Sequence, residues 1–184
     1  MKKVILVAIL LLSTVAVSAQ LSFTVRAGAN VSGIENADSQ MKIGWKAGAG
    51  VDYAFSNLFS VRPMLYFTTK GCSYGDNNLG FSADKVFNLN YLELPLLASF
   101  HFGLRKDMSL VASIGPYLAY RVNKTPSTET IYKKIDTGGC VGLDLIYKKI
   151  VIGVEGQYGT SSLAKTVDGS LHNINYSLVL GYNF

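Results

Sequence analysis

Cysteine is nearly absent from this 184-residue chain. With only Cys72 and Cys140, a disulfide-stapled mini-domain is excluded. Charge is also scarce: 16% of residues are Asp, Glu, Lys or Arg, against about a quarter in ordinary soluble domains. The net charge of +5 is mild and scattered, which argues against nucleic acid as a partner. No His or Cys spacing suits a metal, and no cofactor motif is present. Neither a collagen nor a heptad period occurs. What is abundant is apolar and small: 49% hydrophobic residues, eighteen Gly, eleven Tyr and nine Phe. That much apolar material excludes intrinsic disorder, and the length fits one domain.

The first residues read as an address. Lys2 and Lys3 precede an apolar run from Val4 to Val17, and Val17-Ser18-Ala19 ends it with a small residue at the cleavage position. This is the secretory leader layout, and the run is too short for a transmembrane helix, which needs about 20 residues. The expectation is a signal peptide over 1–19 and a mature domain over 20–184, with a net charge of +3 once Lys2 and Lys3 are gone. No Cys follows the cleavage point, so a lipoprotein anchor has no attachment atom. No later run is long and apolar enough for a helical span.

The remainder alternates with a period of two. In 43–55, Ile43, Trp45, Ala47, Ala49, Val51, Tyr53 and Phe55 share one face, and Gly44, Lys46, Gly48, Gly50 and Asp52 the other. This is the strand period. It returns around Val25, Val61, Leu94, Ile114, Leu143, Ile152 and Leu178, giving eight segments of about 10 residues, the length of a tilted bilayer crossing. The connections alternate as well. Those at 56–57, 104–107 and 148–149 are tight; those at 32–41, 71–86, 123–136 and 161–170 are longer and polar. Short turns at one end and long loops at the other are a feature of transmembrane barrels.

Periodicity alone does not say which face is outside, since a soluble lipocalin-like binder would turn the apolar row inward. Three features favour outward. The apolar rows would overfill a narrow interior. The opposite face is rich in Gly. The aromatics sort into two belts: Tyr53, Phe55, Phe59, Phe100, Phe102, Tyr147, Tyr182 and Phe184 at the short-turn end, and Trp45, Phe67, Tyr120, Tyr158 and Tyr176 towards the long loops. Such girdles anchor a barrel at both interfaces. The expected fold is an all-β, eight-stranded antiparallel up-and-down transmembrane β-barrel. Its edges must close, because unpaired backbone groups cannot face lipid.

The inward row then carries Arg26, Lys46, Arg62, Lys70 and Arg121 against Asp52, Glu93, Asp144 and Glu155, with Tyr66, Tyr91, Tyr117 and Gln157. An interior of this size is filled by side chains, and every buried charge needs a partner. The expectation is a plugged lumen, with Arg62–Glu93 on neighbouring strands as the first candidate pair. Catalysis has little support: His172 stands near Asp168 and Ser170, whereas His101 lies at the other end. Cys72 and Cys140 are either free or bridged by a disulfide that needs the 71–86 connection to fold over the mouth.

Several segments resemble a known family. Phe59-Ser60-Val61-Arg62-Pro63, Tyr91-Leu92-Glu93-Leu94-Pro95-Leu96-Leu97, Gly115-Pro116-Tyr117 and the stretch 153–163 are similar to the PorT-like outer-membrane β-barrel family of Bacteroidota. The chain departs at Met64, where an acidic residue is expected, and at Gln157, where Arg is frequent. The resemblance implies a Gram-negative outer-membrane location and a link to protein secretion or envelope assembly. Independently of that resemblance, Phe184, with Tyr182 two residues before it, places an aromatic on the lipid face at the end of the last strand and looks like the signal read by the barrel-assembly machinery. The reading from the residues is a monomer in outer-membrane lipid, displaying four loops in a structural or surface-interaction role. A narrow small-solute pore is the further alternative.

Overall fold

A computed structural model describes residues 20–35, 40–74, 85–123, 134–160 and 172–184. The leader segment 1–19 therefore lies outside the described residues. Eight strands follow one another: β1 (Gln20–Glu35), β2 (Gln40–Ala54), β3 (Phe59–Tyr74), β4 (Lys85–Arg105), β5 (Met108–Arg121), β6 (Ile135–Tyr147), β7 (Ile150–Gly159) and β8 (His172–Asn183). Each pairs antiparallel with the next, and β8 pairs with β1 from Thr24↔Asn183 to Glu35↔His172, closing the barrel. Closure leaves neither terminal strand with an open edge towards lipid, as a lipid-embedded sheet requires.

Several strands outrun the expected length. β4 has 21 residues, and β1 and β3 have 16 each. Pairing continues past the apolar belt at the long-loop end, where no lipid imposes the alternation that marks a strand in sequence. As a result only residues 36–39 separate β1 from β2, and the expected 32–41 connection is largely strand. Asp136, expected at the end of a loop, is the second residue of β6.

The tight turns have local causes. Ser56 Oγ accepts hydrogen bonds from the backbone N–H groups of Leu58 (3.3 Å) and Phe59 (3.1 Å), reversing the chain between β2 and β3. Between β6 and β7, Lys148 has φ 56°, the left-handed region that a two-residue hairpin demands.

The apolar row faces outward. Phe23, Ile43, Leu65, Leu94, Ile114, Leu143, Val154 and Leu178 are exposed, whereas Arg26, Lys46, Arg62, Lys70, Glu93 and Asp144 are buried. A lipocalin-like arrangement would reverse this pattern. The aromatic belts are continuous in places. At the short-turn end Tyr53, Phe55, Phe59 and Phe100 form a chain of ring contacts 4.6–5.8 Å between centroids. At the other end Trp45 and Phe67 meet at 5.5 Å.

Glycine on the inner row does more than leave space for long side chains. A Cβ on Gly28 would stand 2.1 Å from the Leu178 carbonyl oxygen, and one on Gly115 1.9 Å from that of Leu96. There the neighbouring backbone itself occupies the space, as in a narrow, sharply coiled wall. At Gly153 the obstacle is a side chain, Asp144 Oδ1 at 2.1 Å.

Candidate functional site: the charged lumen

Inward projection from a closed wall brings together residues far apart in sequence. The lower cluster, towards the short turns, centres on Asp144 of β6. Arg26 of β1 grips it with two bonds, Nη1 to Oδ1 (3.1 Å) and Nη2 to Oδ2 (2.9 Å). Arg62 of β3 donates to the same carboxylate from Nη1 (2.7 Å) and to Asp52 of β2 from Nε (2.8 Å). Above it, Lys46 donates to Glu155 at 2.5 Å, the Tyr66 hydroxyl donates to the other Glu155 oxygen at 3.2 Å, and Arg26 lies 3.7 Å from that oxygen. Six charged groups from five strands thus form one connected cluster. Bidentate and shared bonds of this kind supply the compensation that buried charges need.

The middle cluster is built on Glu93 of β4, which is wholly buried. It pairs with Lys70 and accepts hydrogen bonds from Thr68 (3.1 Å) and Gln157 (3.4 Å). Asn175 donates to Gln157, and Asn30 to Asn175, carrying the network to the opposite wall. Lys46 lies 4.1 Å from the centroid of the Tyr66 ring, and Lys70 lies 4.9 Å from that of Tyr117. Cation–π contact of this kind strengthens when water is excluded. The upper cluster holds Asp136, which accepts from the Tyr117 hydroxyl (3.1 Å) and from Asn173 (3.0 Å).

The expected lumen residues Arg26, Lys46, Asp52, Arg62, Tyr66, Glu93, Tyr117, Arg121, Asp144, Glu155 and Gln157 are all buried and inward. The one expected pair, Arg62–Glu93, does not form: Arg62 bonds Asp52 and Asp144, while Glu93 takes Lys70. Glu93 is in register with Tyr66, and Arg62 with Leu97, a four-residue offset of about 13 Å along the strand. Lys70 has the same offset on the other side. The choice is made by carboxylates elsewhere on the wall, Asp52 and Asp144, which lie at the Arg62 end. The residue missed was Asp136. With it the buried lumen charges among the described residues are five cations, Arg26, Lys46, Arg62, Lys70 and Arg121, and five anions, Asp52, Glu93, Asp136, Asp144 and Glu155. An odd cation left over in the expected set was the available signal.

Other candidates resolve simply. His101 Nε2 is 2.8 Å from Ser60 Oγ, but Ser60 is fully buried, which leaves a substrate no approach to the hydroxyl. His172 stacks on Tyr158, centroids 5.5 Å apart; Asp168 and Ser170 lie outside the described residues. Cys140 is a free, buried thiol facing the lumen, and the side chain of Cys72 lies outside the described residues. Among the described residues no three His, Cys, Asp or Glu side chains are grouped to hold a metal ion.

Closed topology, outward apolar row and charge-filled lumen are joined by one further observation. Residues 13–183 match the family described as "Outer membrane protein beta-barrel domain". The chain belongs to that family. This outer-membrane barrel is also similar to solved structures at low identity. Neisserial surface protein A is similar with a TM-score of 0.54 and 12% identity, over 91% of this chain and 99% of that one. The outer membrane enzyme PagL gives 0.51 and 12%, over 85% and 98%. Ail, the attachment invasion locus protein of Yersinia pestis, gives 0.48 and 15%, over 90% and 99%. No curated protein matches the barrel by sequence.

Proposed function

We propose that the protein is a sealed, lipid-embedded scaffold that displays its long connections at the cell surface, in a structural or surface-interaction role. The observation that carries this reading is the cross-lumen lattice, in which Arg26, Arg62 and Asp144 tie β1 and β3 to β6 across the interior. A continuous water path would have to part these bonds, each of which satisfies a buried charge. The test is single-channel recording on the purified barrel in planar bilayers. Silence at neutral pH is expected; a steady conductance would replace the sealed scaffold with a narrow pore.

A second reading, an accessory of protein secretion or envelope assembly, is favoured by the segments 59–63, 91–97 and 115–117 that resemble the PorT-like family. A deletion strain separates the two: loss of a secreted protein favours the accessory, whereas detergent sensitivity or lost adhesion favours the scaffold. Under either reading the protein is exported by cleavage after Ala19, enters the membrane through the assembly machinery by way of Phe184, and works as a monomer.

A further inference from the structure

The lumen cations of the lower and middle clusters have carboxylate partners, but one group of cations has none. Arg105 and Lys106 lie at the β4–β5 turn, and Lys148 and Lys149 form the β6–β7 turn; all four are exposed. Among the described residues none of them makes an ion pair. The turns are fastened to each other and to β8, since the Lys148 N–H donates to the Asp107 carbonyl and the Asn183 N–H to the Lys149 carbonyl, each at 2.8 Å. They therefore present one patch in which Asp107 is the single acidic side chain. A hollow of about 390 Å³ is lined by Arg105, Lys106 and Lys148 together with Asp107, Gly103 and Ile146. The third short turn, 55–58, carries no charge, so the patch is one-sided.

Depth decides what such a patch meets. Lys148 Nζ lies 5.6 Å from the centroid of the Tyr147 ring, and Lys149 Nζ 5.7 Å from that of Tyr182. Both rings are exposed members of the lipid-facing girdle, and girdle aromatics sit at headgroup level. The ammonium groups thus stand at the plane of the phosphates rather than out in the aqueous space. Short turns of this family's barrels face the periplasm.

We propose that the joined β4–β5 and β6–β7 turns dock the anionic headgroup of a phospholipid from the periplasmic leaflet. The proposal rests on the membrane reading and is independent of what the long loops do. A cation held near an anionic surface raises affinity about fivefold; a single headgroup is reached by about two of the four, and Asp107 offsets part of their product, so an overall preference of about tenfold is expected at low salt.

The full barrel in detergent is incubated with equal amounts of phosphatidylglycerol and phosphatidylethanolamine, and bound lipids are counted by native mass spectrometry. Wild type should retain phosphatidylglycerol about tenfold over phosphatidylethanolamine, with the ratio falling as salt rises. The combined variant Arg105→Gln, Lys106→Gln, Lys148→Asn, Lys149→Gln should bring the ratio near one; Asn is chosen at 148 because it tolerates a left-handed φ. Slower migration after boiling confirms that this variant folds. Lys134→Gln, at the opposite end, should leave the ratio unchanged. Equal retention of both lipids by wild type, or an undiminished ratio in the combined variant, would overturn the proposal. So would capture of peptidoglycan by wild type but not by the variant, with no lipid preference in either.

Discussion

Val61 and Arg62 are neighbours on β3, yet they are held by opposite media. Val61 turns towards the lipid side among the girdle residues, while Arg62 is buried with two carboxylates. The same division repeats along every strand, so the barrel has two independent surfaces built on one backbone. The outer one asks only that side chains be apolar, with aromatics at the two interfaces. The inner one asks that each charge meet a particular partner. A fault on the outer surface is met by an adaptable solvent, whereas a fault inside leaves a group with nothing to turn to.

The sharpest way to expose this difference is Asp144→Asn. It removes the carboxylate shared by Arg26 and Arg62 and leaves the buried lumen with an excess cation. Breaking a buried ion pair from one side typically costs about 3–5 kcal/mol. Urea unfolding of the barrel in lipid vesicles should show a loss in that range. A loss below about 1 kcal/mol would mean that water reaches the cluster, and the lumen would then not be sealed.

On the outer surface, Leu178→Arg places a charge among acyl chains, between Tyr176 and Tyr182 of the two girdles. A lipid-facing Arg near the midplane costs about 2–4 kcal/mol, falling towards zero at the interfaces. The same change at Tyr182 should therefore be several times milder. Equal penalties at 178 and 182 would show that the belts do not mark the membrane boundaries.

This contrast also explains which parts of the molecule could be read from the chain alone. The alternation around Val51, Leu94 and Leu178 reveals strands, faces and closure, because lipid applies one generic demand to every outward residue. The inward set follows by parity, including Arg26, Lys46 and Glu155. Partnership does not, because it depends on strand tilt and on the opposite wall. Arg62 and Lys70 are equally offset from Glu93 on the neighbouring strand, and only the positions of Asp52 and Asp144 across the barrel decide between them. The expectation of a loop at Asp136 fails because the apolar alternation fades above the belt, although β-pairing does not. The four turn cations were visible as residues, but their shared patch depends on the backbone bond between Lys148 and Asp107.

The smallest expected effect tests whether the inner surface needs charge at all. Lys70 and Glu93 are fully buried and pair with each other, with Thr68 and Gln157 as supporting donors. Replacing either alone should cost about 3–5 kcal/mol, since the survivor is left as an uncompensated ion. Replacing both, as Lys70→Met with Glu93→Leu, removes the attraction and the desolvation penalty together. Exchange of a buried pair for apolar side chains of similar volume is often neutral or even favourable, so the double variant should unfold within about 1 kcal/mol of wild type. The difference between single and double variants is the coupling of the pair, and it should exceed about 2 kcal/mol. If that holds, the charges in this cluster specify which walls meet rather than how firmly the barrel holds. If the double variant is instead as damaged as either single one, the hydrogen bonds from Thr68 and Gln157 carry the stability, and the ion pair is secondary to the polar lattice around it.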